Sequence, residues 1–550
     1  MKKTILFLIV LATQLSNSQK LTEIQKLATT CKVWGFLKYY HPNVASGKFN
    51  WDEQLFAVLP QIENANTKEQ FSKVLENWID VLGEVKKTAP IKDNDTTEYF
   101  YKNLDLAWIS KNALFSKKVS EKLEFIKDNR VQENQHYVTF DKEGTKNALF
   151  QNEVKYSNFI WSDKNLRILA LFRYWNFIEY FYPYKYLMDQ KWNTSLVEIL
   201  PTIINCKNEN EYDLSLLKLV TSLNDTHADF YWNLKKYKLG RNFIPANFKF
   251  IDNKMVITKI LNDSVAKKND LMLGDAIISV DKKLISEVIK ENRKVINASN
   301  EASYLRNLAL KYRRFSTNKI EIEYVRNAKK TTKTIELYNQ NDFFNDVDKI
   351  NETSHFKIIE NNIGYVDLKL LDENEVQQMI LNLKTTSTLI FDVRNYPNDV
   401  EHEISLFLNP QKKCFAKITY PDLSYPGRFI FQNEYCGAVN NNNYKGKVIL
   451  LVNEFSQSFS EWLVMCLKTA PNVTVIGSQT AGADGDVSKI DFIGDYNTSI
   501  TGLGVYYPDG RETQRIGIVP DIEVKPTIEG VKQGKDEVLE RAIKFIETGK

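Results

Sequence analysis

The stretch KVILLVNEFSQSFSEWLVMCLKT, from Lys447 to Thr469, constrains this chain more than any other. Val448 to Val452 is an unbroken apolar run, and a strand without polar alternation is one buried on both faces. Such a strand needs helices on each side of its sheet. A polar elbow follows, Asn453 to Ser460, and then a helix whose apolar positions are Trp462, Leu463, Met465 and Cys466. Strand, elbow and helix in succession put the elbow at the carboxyl end of a sheet, beside helix N–H groups that can stabilise an oxyanion. The elbow holds Ser456, Ser458 and Ser460, with Glu461 next. Two readings of Ser458 stay open on this local pattern. Ser458-x-x-Glu461 is a helix capping box, and Ser458 is equally a nucleophile on a strand-to-helix turn.

At 550 residues the chain has length for three or four domains. Hydrophobic residues make up 43% and charged residues 26%, the balance of a soluble globular protein. Met1 to Ser18 has the plan of a secretory signal peptide: Lys2 and Lys3, an apolar run from Ile5 to Ala12, then Ser16 and Ser18 before a cut at Gln19. That run is too short to span a membrane and no later segment is long enough, so the mature chain is expected not to be transmembrane, and to be periplasmic or secreted. The formal charge of +4 falls to +2 without Lys2 and Lys3, which gives no support for a nucleic-acid partner. The five cysteines (Cys31, Cys206, Cys414, Cys436, Cys466) include no CxxC, so no metal site is expected, and no cofactor. Cys414 and Cys436 pair across a hairpin or remain buried thiols.

A repeat runs through the first half at a constant offset of 141 residues: KVWGFLKYYHP (32 to 42) matches RYWNFIEYFYP (173 to 183). Trp34 aligns with Trp175, Pro42 with Pro183, Trp51 with Trp192, Pro60 with Pro201 and Leu82 with Leu223. Each copy reads as amphipathic helices whose aromatics build a core. The copies diverge at their ends. The first closes LGEVKK, whereas the second closes LNDTHADFYW and places His227 after its third helix. Packing of this terminus therefore does not require a histidine, which singles out His227 among only five in the chain. The first copy spans 19–84 and the second 166–240. Between them, 85–165 reads as short strands and a helix near 116 to 128.

From 241 to 338 the pattern changes. Lys254 to Ile260 is a strand, and NDSVAKKNDLMLGDAIISVDKK (262 to 283) carries a small helix, Leu273-Gly274-Asp275 and the strand Ala276 to Val280. With a helix at 286 to 298 or slightly beyond and a strand at 319 to 326, this resembles the core of a PDZ domain, a module that binds extended peptide ends by strand addition. A linker around 339 to 356 follows. Beyond it strand and helix alternate over 339–550: Asn362 to Leu368, Glu373 to Lys384, Thr388 to Val393, Lys447 to Val452 and Val473 to Ile476, with a loop-rich insert at 400 to 446.

The loops DVRNYP (392 to 397), NEFSQSFSEW (453 to 462), GSQTAGADG (477 to 485) and YYPDGRETQRIGIVPDIEV (506 to 524), in this order behind a PDZ-like module, resemble the tail-specific (C-terminal processing) serine peptidases. The likeness covers about 200 to 550 and is greatest to the tricorn-like and retinoid-binding-protein-like branch. It implies an α/β fold: a crotonase-like ββα sheet core, a PDZ-like domain and the duplicated, mainly helical N-terminal region. It makes Ser458 the nucleophile. The lysine base of the tail-specific enzymes would fall at Ala483, so the dyad is Ser/His, with His227 as base after Thr226. Gln514 occupies the position of the branch's glutamate, and Glu512 is the second candidate to orient the imidazole. The oxyanion donors implied are the N–H groups of Phe459 and of Asn398 or Asp399, in a loop that lacks the family's Gly-Gly. The function implied is hydrolysis of peptide bonds in a polypeptide or peptide substrate through an acyl-enzyme, by an endopeptidase or a tail-processing enzyme, and the chain admits a homo-oligomer. The altered oxyanion loop and the uncharged Gln514 keep a second reading open, a catalytically impaired peptidase fold that binds an apolar ligand or peptide. A third is an assembly protein working through its PDZ-like module.

Overall fold

The computed structural model of the chain describes residues 21–132, 135–141, 144–231, 240–339 and 355–550. The signal peptide expected over Met1 to Ser18 and most of the linker expected around 339 to 356 lie outside the described residues. The chain divides into two compact units. One contains residues up to Leu216 with Pro421–Ile430 and Ile490–Gly494, and the other contains Leu217–Tyr420, Phe431–Lys489 and Asp495–Lys550.

In the first unit the helices repeat at the offset of the sequence. Glu23–Tyr40 and Lys164–Phe181 are both 18 residues long, and Trp51–Asn64 and Trp192–Asn205 are both 14. Each copy closes on the same device. Trp34 and Trp51 stack at 6.3 Å, each indole donating to the other's backbone carbonyl at 3.3 and 3.1 Å. Trp175 and Trp192 do the same at 6.2 Å, with bonds of 3.2 and 2.9 Å. Reciprocal bonding satisfies both buried indole N–H groups without water. The copies meet where Gly35 faces Asn176, its own counterpart in the repeat. A Cβ on Gly35 would lie 1.8 Å from the Asn176 side-chain oxygen, and the Asn176 amide donates to the Cys31 carbonyl at 3.1 Å. The connecting region supplies Lys117–Asp128, the expected helix, and Glu153. Glu153 bonds the buried Lys38 ammonium and, at 3.0 Å, Arg173, which also bonds Asp52. Buried charges persist only when paired in this way.

The second unit is built on a sheet with the strand order Phe356–Ile359, Ile363–Asp367, Thr388–Asp392, Lys447–Val452, Val473–Gly477 and Ile522–Glu523. The first pair is antiparallel and the rest are parallel. The central strand Lys447–Val452 explains its own sequence. Val448, Leu450 and Val452 belong to one apolar core, Ile449 and Leu451 to another on the opposite face. A second sheet holds Lys329–Glu336, Lys319–Arg326, Ala276–Val280, Lys254–Ile260 and Ala246–Ile251, the last at its edge.

Two sequence expectations are corrected, and the alternative left open for Cys414 and Cys436 is decided. The helix expected at 286 to 298 is shorter, Ile285–Glu291 with a 3-10 turn at Asn292–Lys294, and a further helix, Glu301–Tyr312, follows it. The Asn300 side chain caps that helix by accepting from the Ser303 N–H at 2.9 Å. The insert at 400 to 446 is not loop-rich: it contains the helix Glu401–Leu408 and the strands Lys413–Pro421 and Phe429–Cys436. Cys414 and Cys436 are free thiols. The Cys414 thiol points to the Ala416 carbonyl at 3.5 Å, and that of Cys436 to the Cys466 carbonyl at 3.6 Å.

Candidate active site

Ser458 stands between the strand Lys447–Val452 and the helix Phe459–Leu467, with φ 56° and ψ −123°. A β-carbon is disfavoured there, so the turn stores strain of about 1–3 kcal/mol. Its hydroxyl does not cap the helix, so the capping-box reading fails. The Glu461 N–H reaches the backbone carbonyl of Ser458 at 2.7 Å instead. The Glu461 carboxylate is equally diverted, accepting from the Thr480 hydroxyl and from the Gly482 and Ala483 N–H groups at 2.8 and 3.0 Å. Burial pushes the Glu461 carboxyl above its usual range, against the pull of those donors. The elbow is pinned from several sides. Ser456 donates to the Val393 carbonyl at 2.7 Å and Ser460 to that of Asn395 at 3.4 Å. The Ser458 N–H donates to the Ala483 carbonyl at 2.9 Å, and Arg306 from the helix Glu301–Tyr312 donates to Glu454 O and Gln457 Oε1 at 2.8 and 2.7 Å. The Ser458 hydroxyl alone among the elbow serines is left unspent by these contacts.

The position where a lysine would fall holds Ala483, which is fully buried. Asp484, next to it, is also buried, and neither of its carboxylate oxygens has a partner among the described residues. Burial, with Glu461 adding to it, pushes the Asp484 carboxyl well above the usual carboxylate range.

His227 follows the helix Glu209–Thr221. Its Nδ1 lies 3.0 Å from the Thr501 hydroxyl, the one hydrogen bond of the ring among the described residues. The Thr501 hydroxyl donates to Asp225 Oδ1 at 2.8 Å. The strand Asn497–Thr501 pairs antiparallel with Phe230–Tyr231, and Ser499 Oγ donates to the His227 carbonyl at 2.6 Å, so backbone zips Thr501 beside the ring. Burial pushes the imidazole below its usual range, opposed by Asp225 and Asp486 and reinforced by Arg306.

The other candidates are placed differently from expectation. Thr226 does not touch the His227 ring. Its hydroxyl bonds the Ser299 and Ser303 hydroxyls at 2.9 and 3.1 Å and accepts the Ser299 N–H at 2.8 Å, which exhausts it in holding the chain before Glu301–Tyr312. Gln514 bonds Asp225 Oδ1 at 3.2 Å and not the imidazole. Glu512 pairs its backbone with Tyr506 and is not bonded to the ring. Asn398 is excluded as an oxyanion donor because its N–H is spent on the Leu368 carbonyl at 3.1 Å, while its amide donates to Leu371 O at 2.9 Å. The N–H groups of Phe459 and Asp399 meet no backbone acceptor among the described residues. Ser458 and His227 share no hydrogen bond among the described residues. They are joined through the loop 480–484, whose Ala483 carbonyl takes the Ser458 N–H while its Ala481 carbonyl lies 3.5 Å from the Thr226 hydroxyl.

Sequence reading missed Asp225, Thr501 and Arg306. Asp225 stood two residues from a singled-out histidine, and Arg306 lies on a helix announced by its Asn300 cap. No local signal marks Thr501, 274 residues from His227.

A serine on a strained strand-to-helix turn, at the carboxyl end of a mostly parallel sheet, has the geometry in which serine hydrolases present a nucleophile. Residues 362–524 match the sequence model of Peptidase family S41. A serine-to-alanine variant of CPAF is similar over 70% of this chain and 98% of its own, with a TM-score of 0.56 and 14% identity. Mature CPAF is similar over 70% and 99%, with a TM-score of 0.54 and 13% identity. Mature CPAF complexed with lactacystin has a TM-score of 0.53 at 12% identity over the same shares. At such identities the likeness is one of fold. No curated protein sequence matches the chain. The family match is confined to residues 362–524, which carry the elbow and the loop 480–484.

Proposed function

We propose that this protein hydrolyses peptide bonds of a polypeptide substrate, with Ser458 as nucleophile and His227 as general base, in the periplasm or after secretion. The observation that carries this reading is the elbow: Ser458 is held at φ 56° with its hydroxyl free of the cap its sequence offers. His227 takes the proton of the Ser458 hydroxyl as the oxygen attacks the scissile carbonyl, and returns it to the leaving amine. Water then hydrolyses the acyl-enzyme, with the same base. Phe459 and Asp399 offer the two backbone N–H groups for the oxyanion, a role in which one donor is worth about 2.7–4 kcal/mol. A cavity of about 520 Å³ lies between the edge strand Ala246–Ile251 and the helix Glu301–Tyr312. Phe248, Phe250 and Leu305 line it, as do Glu454 and Phe455 of the elbow. An unpaired strand edge beside a helix is the geometry that accepts an extended peptide as an added strand. In this reading the PDZ-like module over 241–338 holds a substrate tail there and leads the chain to Ser458.

A fluorophosphonate probe tests the proposal. Wild type is expected to be labelled on Ser458, Ser458→Ala not at all, and His227→Ala about 10²–10⁴-fold more slowly. Undiminished labelling of Ser458→Ala, or none of wild type, rules the mechanism out.

A further inference from the structure

We propose that Asp225, acting through the Thr501 hydroxyl, is the carboxylate that orients and supports His227, in place of a carboxylate at position 514. The inference rests on His227 being the general base. Hydrogen-bond direction fixes the first half of it. A carboxylate accepts and a hydroxyl has one proton to give. The Thr501 proton is given to Asp225 Oδ1 at 2.8 Å, so the 3.0 Å contact with the ring runs from Nδ1–H to Oγ1. The neutral imidazole is thereby held as the Nδ1–H tautomer, and Nε2 keeps the lone pair that must take the serine proton. When that proton arrives, the imidazolium charge faces Asp225 across a single hydroxyl. Neither Thr501 nor Asp225 gains or loses a proton over the cycle.

Asp225 is itself immobilised. Its Oδ2 accepts the Thr501 N–H at 2.8 Å, and its Oδ1 accepts the His227 N–H at 3.1 Å and the Gln514 amide at 3.2 Å. Position 514 therefore needs a donor. The Gln514 Oε1 has no partner among the described residues, and turning the amide over would oppose two oxygens. A glutamate at 514 would set a second buried carboxylate against Asp225, where like charges repel. The uncharged residue that looks like a defect is the one this arrangement requires.

The charged groups acting on His227 are Asp225, Asp486 and Arg306. Asp225 favours the imidazolium, so its neutralisation moves the acid limb of reactivity to lower pH. The experiment is the pH profile of the fluorophosphonate labelling rate for wild type and four variants, with folding followed by thermal unfolding. Thr501→Ser keeps the hydroxyl and is expected to label within about 3-fold of wild type, while Thr501→Val slows labelling by about 10²-fold or more. Asp225→Asn slows labelling at pH 8 and shifts the acid limb down, a shift that a merely structural role would not produce. Gln514→Glu also slows labelling. The relay is overturned if Thr501→Val and Asp225→Asn keep both rate and acid limb, or if Gln514→Glu accelerates. An unlabelled wild type overturns the peptidase reading instead, so the two failures are distinct.

Discussion

At the scale of the residue, Ser458 shows how a site is financed by its surroundings. Its backbone sits in a region that favours glycine, and three residues outside the elbow (Ala483, Arg306 and Val393) supply the bonds that keep it there. Ser458→Gly and Ser458→Ala both remove the hydroxyl, but only glycine relieves the backbone. Ser458→Gly is expected to be more stable than Ser458→Ala by about 1 kcal/mol in denaturant unfolding. Equal stabilities would show that the turn is unstrained.

At the scale of the element, two helices decide most. Glu301–Tyr312 touches both halves of the candidate site, through Ser303 to Thr226 and through Arg306 to the elbow. Glu23–Tyr40 meets Lys164–Phe181 at a crossing that only Gly35 permits, because the Asn176 side chain fills the space a Cβ would take. Asn176 is also bonded to the Cys31 and Phe172 carbonyls, so it cannot step aside without breaking a buried bond. Gly35→Ala is expected to lower stability by about 1–3 kcal/mol, as overpacking of a filled core does. An unchanged melting temperature would mean that the crossing is looser than drawn.

At the scale of the whole molecule, pH acts through buried groups. His41 is fully buried, neither ring nitrogen has a partner among the described residues, and burial takes its pKa from 6.5 down to about 4. A base with a depressed folded pKa binds fewer protons in the native state than unfolded. Its stabilisation is therefore complete above 6.5 and is lost as pH falls from 6.5 through about 4. The full loss is about 3 kcal/mol. The repeat supplies the control, since the counterpart of His41 in the second copy is Tyr182. Relative to wild type, His41→Tyr should gain about 3 kcal/mol of stability between pH 7 and pH 4, whatever its offset at pH 7. A difference independent of pH would assign the acid sensitivity to other groups. Among the described residues no helix is long and apolar enough to cross a membrane.

The sequence alone determined what depends on neighbours in the chain. Hydrophobic period drew Lys254–Ile260, Ala276–Val280 and Lys447–Val452 to the residue, because burial on one or two faces writes itself directly into the side chains. The 141-residue offset drew the paired helices, and unequal ends of the two copies drew attention to His227. The sequence could not decide how polar groups are spent, because a hydrogen bond joins whatever the fold brings near. Ser458 offered a cap and did not make one, Thr226 and Asn398 are consumed in holding loops, and Gln514 serves Asp225 rather than the imidazole. The Asp225–Thr501–His227 chain spans 276 residues, and antiparallel pairing of Asn497–Thr501 with Phe230–Tyr231 is what closes it. Apolar burial is a property of each residue and is legible one residue at a time, whereas a partner is a property of two residues and exists only once the chain has folded.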